Sequence, residues 1–204
     1  MRANRWWVVV PLALVLVIVG VVAVSAQEKS LYWERYDVDI TILENGDFQV
    51  VEYQEIAFTS GTFTYGYRNI PLDRVERITN VEVWEGDTRY AKESSEDPNT
   101  YETWIEDGEQ RLAWYFSETT NARRAWSLRY TVEGGLRIYD GGDQLFWKAI
   151  YSDREQPVRN ARVTVHLPAA LSADQLVVAS YEADATWEQV DAQTVVFTAT
   201  RQIG

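Results

Sequence analysis

The sequence predicts an all-β protein: an antiparallel β-sandwich, immunoglobulin-like in the broad sense, preceded by an N-terminal apolar helix that is a signal peptide or membrane anchor. Three observations support this. Short segments alternate apolar and polar residues with a period of two, and turn sequences separate them. No long helix-period segment follows the N terminus. Residues 6–24 carry no charge and follow a basic leader.

The N-terminal segment predicts export. Arg2 and Arg5 precede the uncharged run, and Val24 and Ala26 match the small-residue pattern that signal peptidase recognises, with the cut after Ala26. The run is also close to the roughly 20 residues that span a bilayer, so residues 1–26 form either a cleaved signal peptide or a retained signal anchor. Both alternatives place residues 27–204 outside the cytoplasm, at the cell membrane, as one β-sandwich domain.

The first strands of that domain form a predicted hairpin. Residues 36–42 alternate strictly, and Asn45-Gly46 then predicts a tight turn with positive φ at both positions. The return strand covers residues 48–58. Two adjoining apolar residues, Val50 and Val51, predict a β-bulge there.

The remaining strands follow at short intervals. Alternation is clearest in residues 124–132, where Trp126 and Leu128 face inward and Arg129 faces outward. The stretch 61–71, with its two glycines and a terminal proline, is interpreted as a loop. Further strands are predicted at residues 81–84, 102–105, 111–116, 144–150, 161–167, 176–181, 185–190 and 194–200.

Composition excludes several classes of function. The formal net charge is -12, and a surface this acidic repels nucleic-acid phosphates, so no nucleic-acid partner is expected. The chain has no cysteine, which excludes disulfides, thiolate metal sites and thiol nucleophiles.

The sequence contains no recognisable set of catalytic residues. His166 is the single histidine, and alternation turns it outward as a surface residue without a triad. The Asp140–Asp143 stretch lacks the ligand spacing of a calcium loop and predicts a plain turn. We therefore predict no catalytic, cofactor or metal site, and a non-enzymatic domain. A carboxylate-based hydrolase remains the least favoured alternative.

Tryptophans supply a second alternative, a glycan-binding module. Trp114 and Trp126 fall on apolar faces and are predicted core residues. Trp33, Trp104 and Trp187 are less constrained. A glycan platform would need at least two of these three on one exposed strip.

Three stretches carry a family resemblance. They are residues 36–42 with the following hairpin turn, residues 61–71, and residues 145–150 with the later 163–168. In this order, behind an apolar segment, they resemble YciQ-like predicted bacterial membrane proteins, whose N-terminal part is an extracytoplasmic domain of unknown function. The resemblance implies a β-sandwich outside the membrane and a transmembrane helix beyond Gly204. It transfers no catalytic residue, and Asn69 stands where an acidic residue is common.

The stretch 61–71 also contains the candidate contact residues Tyr67, Arg68 and Asn69. Arg68 either pairs with a carboxylate inside the domain or receives an anionic ligand or a partner chain. The leading hypothesis is an interaction or sensing module of the cell envelope, with an envelope protein or a glycan as partner.

Overall fold

The computed structural model describes residues 28–151 and 154–204. Within these two ranges, the regular structure consists of strands and one 3-10 turn at Ala173–Gln175. No helix in this part of the chain is long and apolar enough to cross a bilayer. The predicted signal or anchor segment, residues 1–26, lies outside the described residues. The strands are β1 (Ser30–Ile42), β2 (Phe48–Ser60), β3 (Phe63–Pro71), β4 (Arg77–Glu85), β5 (Thr88–Arg89), β6 (Ala91–Lys92), β7 (Thr100–Glu106), β8 (Glu109–Thr119), β9 (Ala122–Glu133), β10 (Leu136–Arg137), β11 (Gln144–Leu145), β12 (Ala161–His166), β13 (Ala185–Asp191) and β14 (Thr194–Ala199).

The predicted all-β class is confirmed, and the described strands form a large sheet, a small sheet and a short ribbon. The large sheet has the order β13-β14-β12-β1-β2-β9-β4-β5, and the small sheet has the order β3-β8-β7-β6. Strands β10 and β11 form the two-stranded ribbon. The prediction of an antiparallel sandwich is wrong for two strand pairs. Strands β6 and β7 pair in parallel. Strand β1 pairs with β12 in parallel, because a long crossover from β9 returns the chain beside β1.

The two main sheets pack face to face. Alternation along β9 turns Trp126, Leu128, Tyr130 and Val132 inward, as predicted, and all four are buried. Trp126 meets Trp114 of β8 with ring centroids 6.0 Å apart. These contacts form one hydrophobic cluster between the sheets, and both predicted core tryptophans belong to it.

A second hydrophobic cluster lies toward the β1–β2 turn, and the small sheet contributes only Ile70 to its described buried residues. Phe48 and Val50 of β2 belong to it. The segment after β9 covers it instead, with Trp147 edge-on to Phe48 at 5.1 Å between ring centroids. The prediction of a strand at residues 144–150 is therefore wrong beyond Leu145. Its alternating apolar side chains pack onto a sheet without joining one.

The hairpin from β1 to β2 is confirmed, but the details of its turn and bulge are not. Of the two turn residues, Gly46 has positive φ (86°) and Asn45 does not. The reason is that five residues connect the strands, and the Leu43 carbonyl accepts a hydrogen bond from the Gly46 N–H. No register shift occurs at Val50–Val51, so the predicted bulge there is wrong. The alternation continues unbroken and carries polar residues into the interior.

Two further assignments differ from the sequence analysis. Residues 61–71 are not a loop, because most of them form β3, the edge of the small sheet. Gly66 lies against the Trp114 ring, and Pro71 occupies the last strand position, where an edge strand tolerates it. Residues 176–181 form no strand. Val177 is fully exposed there, so burial does not fix this apolar run in a sheet.

Candidate functional site

The outward face of the small sheet carries a group of aromatic side chains, named here the aromatic face: Tyr65, Tyr67, Trp104 and Tyr115, around Ala113. Strand register places them together, because Tyr65 pairs with Tyr115, and Tyr67 pairs with Ala113. The exposed fractions are 55% for Tyr65, 69% for Tyr67 and 40% for Trp104. The group spans about 10 Å across three strands and about 14 Å along them.

A small residue that is only 5% exposed forms the floor at the centre of the aromatic face. Ala113 lies between Tyr67 on one neighbouring strand and Glu102 on the other. Tyr65 and Tyr115 stack in a tilted pair with centroids 6.4 Å apart, on one side of this floor. Trp104 lies on the other side, across the sheet from Arg111.

Carboxylates surround the aromatic rings. Glu102 accepts a 2.7 Å hydrogen bond from the Tyr115 hydroxyl, and Trp104 Nε1 donates to Glu106 at 3.1 Å. Arg111 is the cation among them, and it faces three carboxylates, those of Glu106, Asp107 and Glu109. Negative charge therefore exceeds positive charge on this face.

The negative charge has a measurable consequence for Tyr115. Burial, the hydrogen bond to Glu102, and the charges of Glu102 and Glu96 together raise the pKa of Tyr115 above its ordinary value. The hydroxyl therefore stays protonated, and keeps donating to Glu102, up to a higher pH than an ordinary tyrosine would.

A second constellation lies in the interior. Glu52 of β2 is fully buried, and Arg68 of β3 donates from Nε to both of its oxygens, at 3.0 and 3.1 Å. Tyr36 and Tyr130 donate to the same carboxylate at 2.5 and 2.6 Å. Gln54 Nε2 completes the set at 3.0 Å. Glu52 and Arg68 are thus paired and hydrogen-bonded, as burial requires, although Arg68 Nη2 has no hydrogen-bond acceptor among the described residues.

Protonation states in the buried cluster follow from its contacts. Burial and the charge of Glu52 raise the pKa of Tyr36 and of Tyr130 well above their ordinary values. Burial alone would lower the pKa of Arg68, but the charge of Glu52 outweighs it and raises that pKa. Tyr36 and Tyr130 therefore stay neutral and Arg68 stays charged, and the nearby charge of Arg154 partly offsets the rise in the pKa of Tyr36.

The position of the cluster explains its structural role. Along β2, Phe48 and Val50 belong to one hydrophobic cluster, and Ile56 and Phe58 belong to the other. Glu52 and Gln54 lie between them. The polar layer therefore separates the two apolar parts of the interior. The Arg68 guanidinium also stacks on the Tyr151 ring at 4.4 Å, which ties the covering segment to this layer.

The three candidate contact residues fall on opposite sides of β3. Tyr67 and Asn69 point outward, Tyr67 into the aromatic face and Asn69 beside it, across from Arg111. Arg68 points inward and is 6% exposed, paired with Glu52. The alternative in which Arg68 pairs inside the domain describes this geometry. Contact of Tyr67 and Asn69 with a partner stays a prediction.

The three less constrained tryptophans do not share a strip. Trp33 is half-buried and donates from Nε1 to Gln54 at 3.0 Å, so it extends the buried cluster. Trp104 belongs to the aromatic face. Trp187 is 44% exposed, but it lies on β13, at the far edge of the large sheet. Trp104 therefore shares its surface with tyrosines rather than with another tryptophan.

The other candidates for chemistry occupy the surface. His166 faces outward as predicted, and its Nε2 lies 3.1 Å from Asp39. Asp140 and Asp143 are exposed in the segment between β10 and β11. Among the described residues, no three His, Cys, Asp or Glu side chains gather closely enough to hold a metal ion.

Sequence reasoning missed the residues that define both constellations. Glu52 and Gln54 were hidden by the assumed bulge, although unbroken alternation from Phe48 would have turned both inward. Tyr65 and Trp104 were not grouped, because residues 61–71 were interpreted as a loop. The alternating Phe63, Tyr65 and Tyr67 were the available signal for a strand.

Comparison with known proteins identifies the family. Residues 32–202 match the model of a protein family, DUF2207, which is described as the N-terminal domain of predicted membrane proteins. The chain belongs to this family. The resemblance to predicted bacterial membrane proteins drawn from the sequence is thereby confirmed at the level of the family. No curated protein matches the DUF2207 chain at a significant level.

Solved structures share the fold. A nutrient-binding candidate protein from Legionella pneumophila is 10% identical with a TM-score of 0.52, and the alignment covers 85% of this chain and 65% of that one. The yeast LTA4 hydrolase bound to bestatin is 7% identical with a TM-score of 0.52, covering 85% and 27%. The DUF2207 chain thus spans less than two thirds of either protein. At these identities the likeness concerns the fold alone.

Proposed function

We propose that this DUF2207 domain is a non-enzymatic interaction module, displayed on the extracytoplasmic side of the cell membrane, and that its contact surface is the aromatic face. The observation that carries the proposal is the exposure of Tyr65, Tyr67 and Trp104 on one side of a three-strand platform. Exposed aromatic groups of this kind are typical of binding surfaces, because tyrosine and tryptophan contribute large apolar area together with a polar group.

The buried cluster supports the non-enzymatic part of the proposal. Tyr36, Tyr130 and Arg68 have strongly shifted pKa values, which in an enzyme often mark the active site. Here the three side chains are buried around Glu52, which is 0% exposed, so within the described residues they are not accessible to a substrate. Their arrangement is that of a structural ion pair joining two sheets.

A glycan-binding module is the second candidate, with Tyr65 and Tyr67 beside Trp104 in place of the strip of two tryptophans, which the described strands do not form. Rings on a flat sheet can stack on sugar rings, and Glu102 and Asn69 supply hydrogen-bonding groups beside Tyr67 and Trp104. Both candidate functions use the aromatic face as the contact surface. They differ in the occupant.

Site-specific photocrosslinking in intact cells tests the proposed surface. The photoreactive residue p-benzoylphenylalanine replaces Tyr67 in one variant and Tyr181 in a control, since Tyr181 is similarly exposed but belongs to the connection between β12 and β13 of the large sheet. We expect a discrete crosslinked species from position 67 that disappears when Trp104→Ser is added. Equal crosslinking from both positions, or a species that persists in the Trp104→Ser background, would contradict the proposal.

A further inference from the structure

The aromatic face carries more negative charge than positive charge. Five carboxylates lie on or around it, from Glu96, Glu102, Glu106, Asp107 and Glu109. The single guanidinium of Arg111 contacts three of them. Glu102 has no cationic partner among the described residues, and its bond from the neutral Tyr115 hydroxyl leaves its charge uncompensated.

Cations interact favourably with both components of such a surface. Aromatic rings attract ammonium and guanidinium groups through their negative faces, and carboxylates add direct attraction. Tyr67 and Glu102 lie on either side of the buried Ala113, and Trp104 follows two residues after Glu102, opposite Arg111. A long Lys or Arg side chain fits this arrangement, because its apolar stem packs along the rings while its charged end reaches a carboxylate.

The same features disfavour other occupants. An acidic peptide or an anionic lipid headgroup would meet like charge from Glu102 and Glu106. A neutral glycan would stack on the rings and could donate hydroxyl hydrogen bonds to Glu102, but it would leave the excess negative charge uncompensated. Of the partners that could pack on the aromatic rings, charge complementarity therefore favours a cationic one.

Resting on the proposed function, we infer that the occupant of the aromatic face is a cationic peptide segment of a partner protein. Its Lys or Arg side chains lie between Tyr67 and Trp104 and pair with Glu102. The partner is recognised by positive charge on an extended or loop segment, with the rings providing apolar contact.

Binding to defined probes tests this inference on the full 204-residue chain in a nonionic detergent. The probes are fluorescent peptides of alternating Lys and Gly or alternating Glu and Gly, together with cellohexaose as a neutral glycan. We expect binding of the Lys peptide alone. Raising the ionic strength from about 0.01 M to about 0.15 M shortens the Debye length from roughly 30 Å to roughly 8 Å and should weaken binding about tenfold.

Variants separate the contributions of charge and ring. Glu102→Gln keeps a hydrogen-bond acceptor for Tyr115 but removes the charge, and it should weaken Lys-peptide binding about tenfold. Trp104→Ala should weaken it by a similar factor. Glu188→Gln on β13 removes a carboxylate from an exposed strand of the other sheet and should change nothing.

The outcomes distinguish this inference from the proposed function. Lys-peptide binding that Glu102→Gln and salt leave unchanged would overturn the cationic partner, whatever the crosslinking result. Binding of cellohexaose that Trp104→Ala abolishes, without Lys-peptide binding, would also overturn it while retaining the surface. Failure of Tyr67 crosslinking in cells together with absent Lys-peptide binding would remove the surface itself.

Discussion

Arg68 of β3 and Glu52 of β2 form an ion pair across the interior, with Nε within 3.0 and 3.1 Å of the two carboxylate oxygens. The two residues come from different sheets, so this contact links the small sheet to the large one. Two tyrosine hydroxyls and one amide supply the remaining hydrogen bonds to the carboxylate. The pair thereby fixes how the sheets register on each other.

Removing the carboxylate should cost more than the pair itself contributes. Glu52→Gln leaves Arg68 buried with an uncompensated charge, and the loss of one partner from a buried pair costs about 3–5 kcal/mol. We expect the free energy of unfolding, measured by urea denaturation, to fall by this amount. Glu55→Gln, on the outward side of the same strand, is the control and should stay within about 0.5 kcal/mol.

A double variant tests the physical reason. In Glu52→Gln/Arg68→Met the unpaired cation is gone, so the double variant should be more stable than Glu52→Gln alone. A double variant that is less stable by the sum of two single losses would show that hydrogen bonding to the tyrosines, rather than charge, dominates.

Alkaline pH should destabilise the fold through its buried tyrosines. Burial and Glu52 raise the pKa of Tyr36 and of Tyr130, whereas in the unfolded chain a tyrosine ionises near pH 10. Their contribution is therefore complete below about pH 10 and is lost as pH rises above it. The loss is about 1.4 kcal/mol per pH unit for each tyrosine.

Comparing the pH dependence of stability between variants separates the contribution of Tyr36 from that of other tyrosines. Burial also raises the pKa of Tyr90 to about 12, so the wild-type slope above pH 10 includes several groups. Tyr36→Phe should reduce that slope, and Tyr181→Phe, at an exposed site, should not. Identical slopes in all three proteins would contradict the assignment. The measurement is the free energy of unfolding at intervals between pH 8 and pH 12.

Local sequence patterns were sufficient for much of the large sheet. The alternation in β1, β9 and β12 predicted which side chains face inward, including Trp126 and the outward His166. Such prediction works where one face of a strand is uniformly apolar, since the period of two is then visible.

Prediction failed where the interior is polar or where a strand carries unusual residues. Glu52 and Gln54 occupy inward positions that would ordinarily be apolar, so the alternation of β2 was misinterpreted as a bulge. Gly66 and Pro71 suggested a loop in β3. The partners that explain these residues, Arg68 and Trp114, are distant in the chain or on another strand, and no local pattern records them.

Gly66 provides a direct test of that explanation. A Cβ at this position would lie 2.3 Å from Trp114 Cζ2, and the Trp126 ring also packs against Trp114 with centroids 6.0 Å apart. Gly66→Ala should therefore lower the free energy of unfolding by about 1–3 kcal/mol, the usual cost of overpacking. Gly141→Ala, where nothing lies within 4 Å of the added atom, should have little effect. Equal stability of the two variants would show that the Trp114 ring moves freely.

The last prediction concerns the segment after β9 that covers the second hydrophobic cluster. Trp147 packs edge-on against Phe48 and at 6.4 Å from the Tyr130 ring, so it shields both hydrophobic and polar parts of the interior. Trp147→Ala should lower the free energy of unfolding by roughly 3 kcal/mol, the lower end for truncation of a buried aromatic side chain. Phe146→Ala, whose ring is 43% exposed, should cost much less. Chemical denaturation measures both. If the two variants lose the same stability, the segment does not act as a cover for the large sheet, and residues 144–150 contribute little to the core that β1, β2 and β9 form.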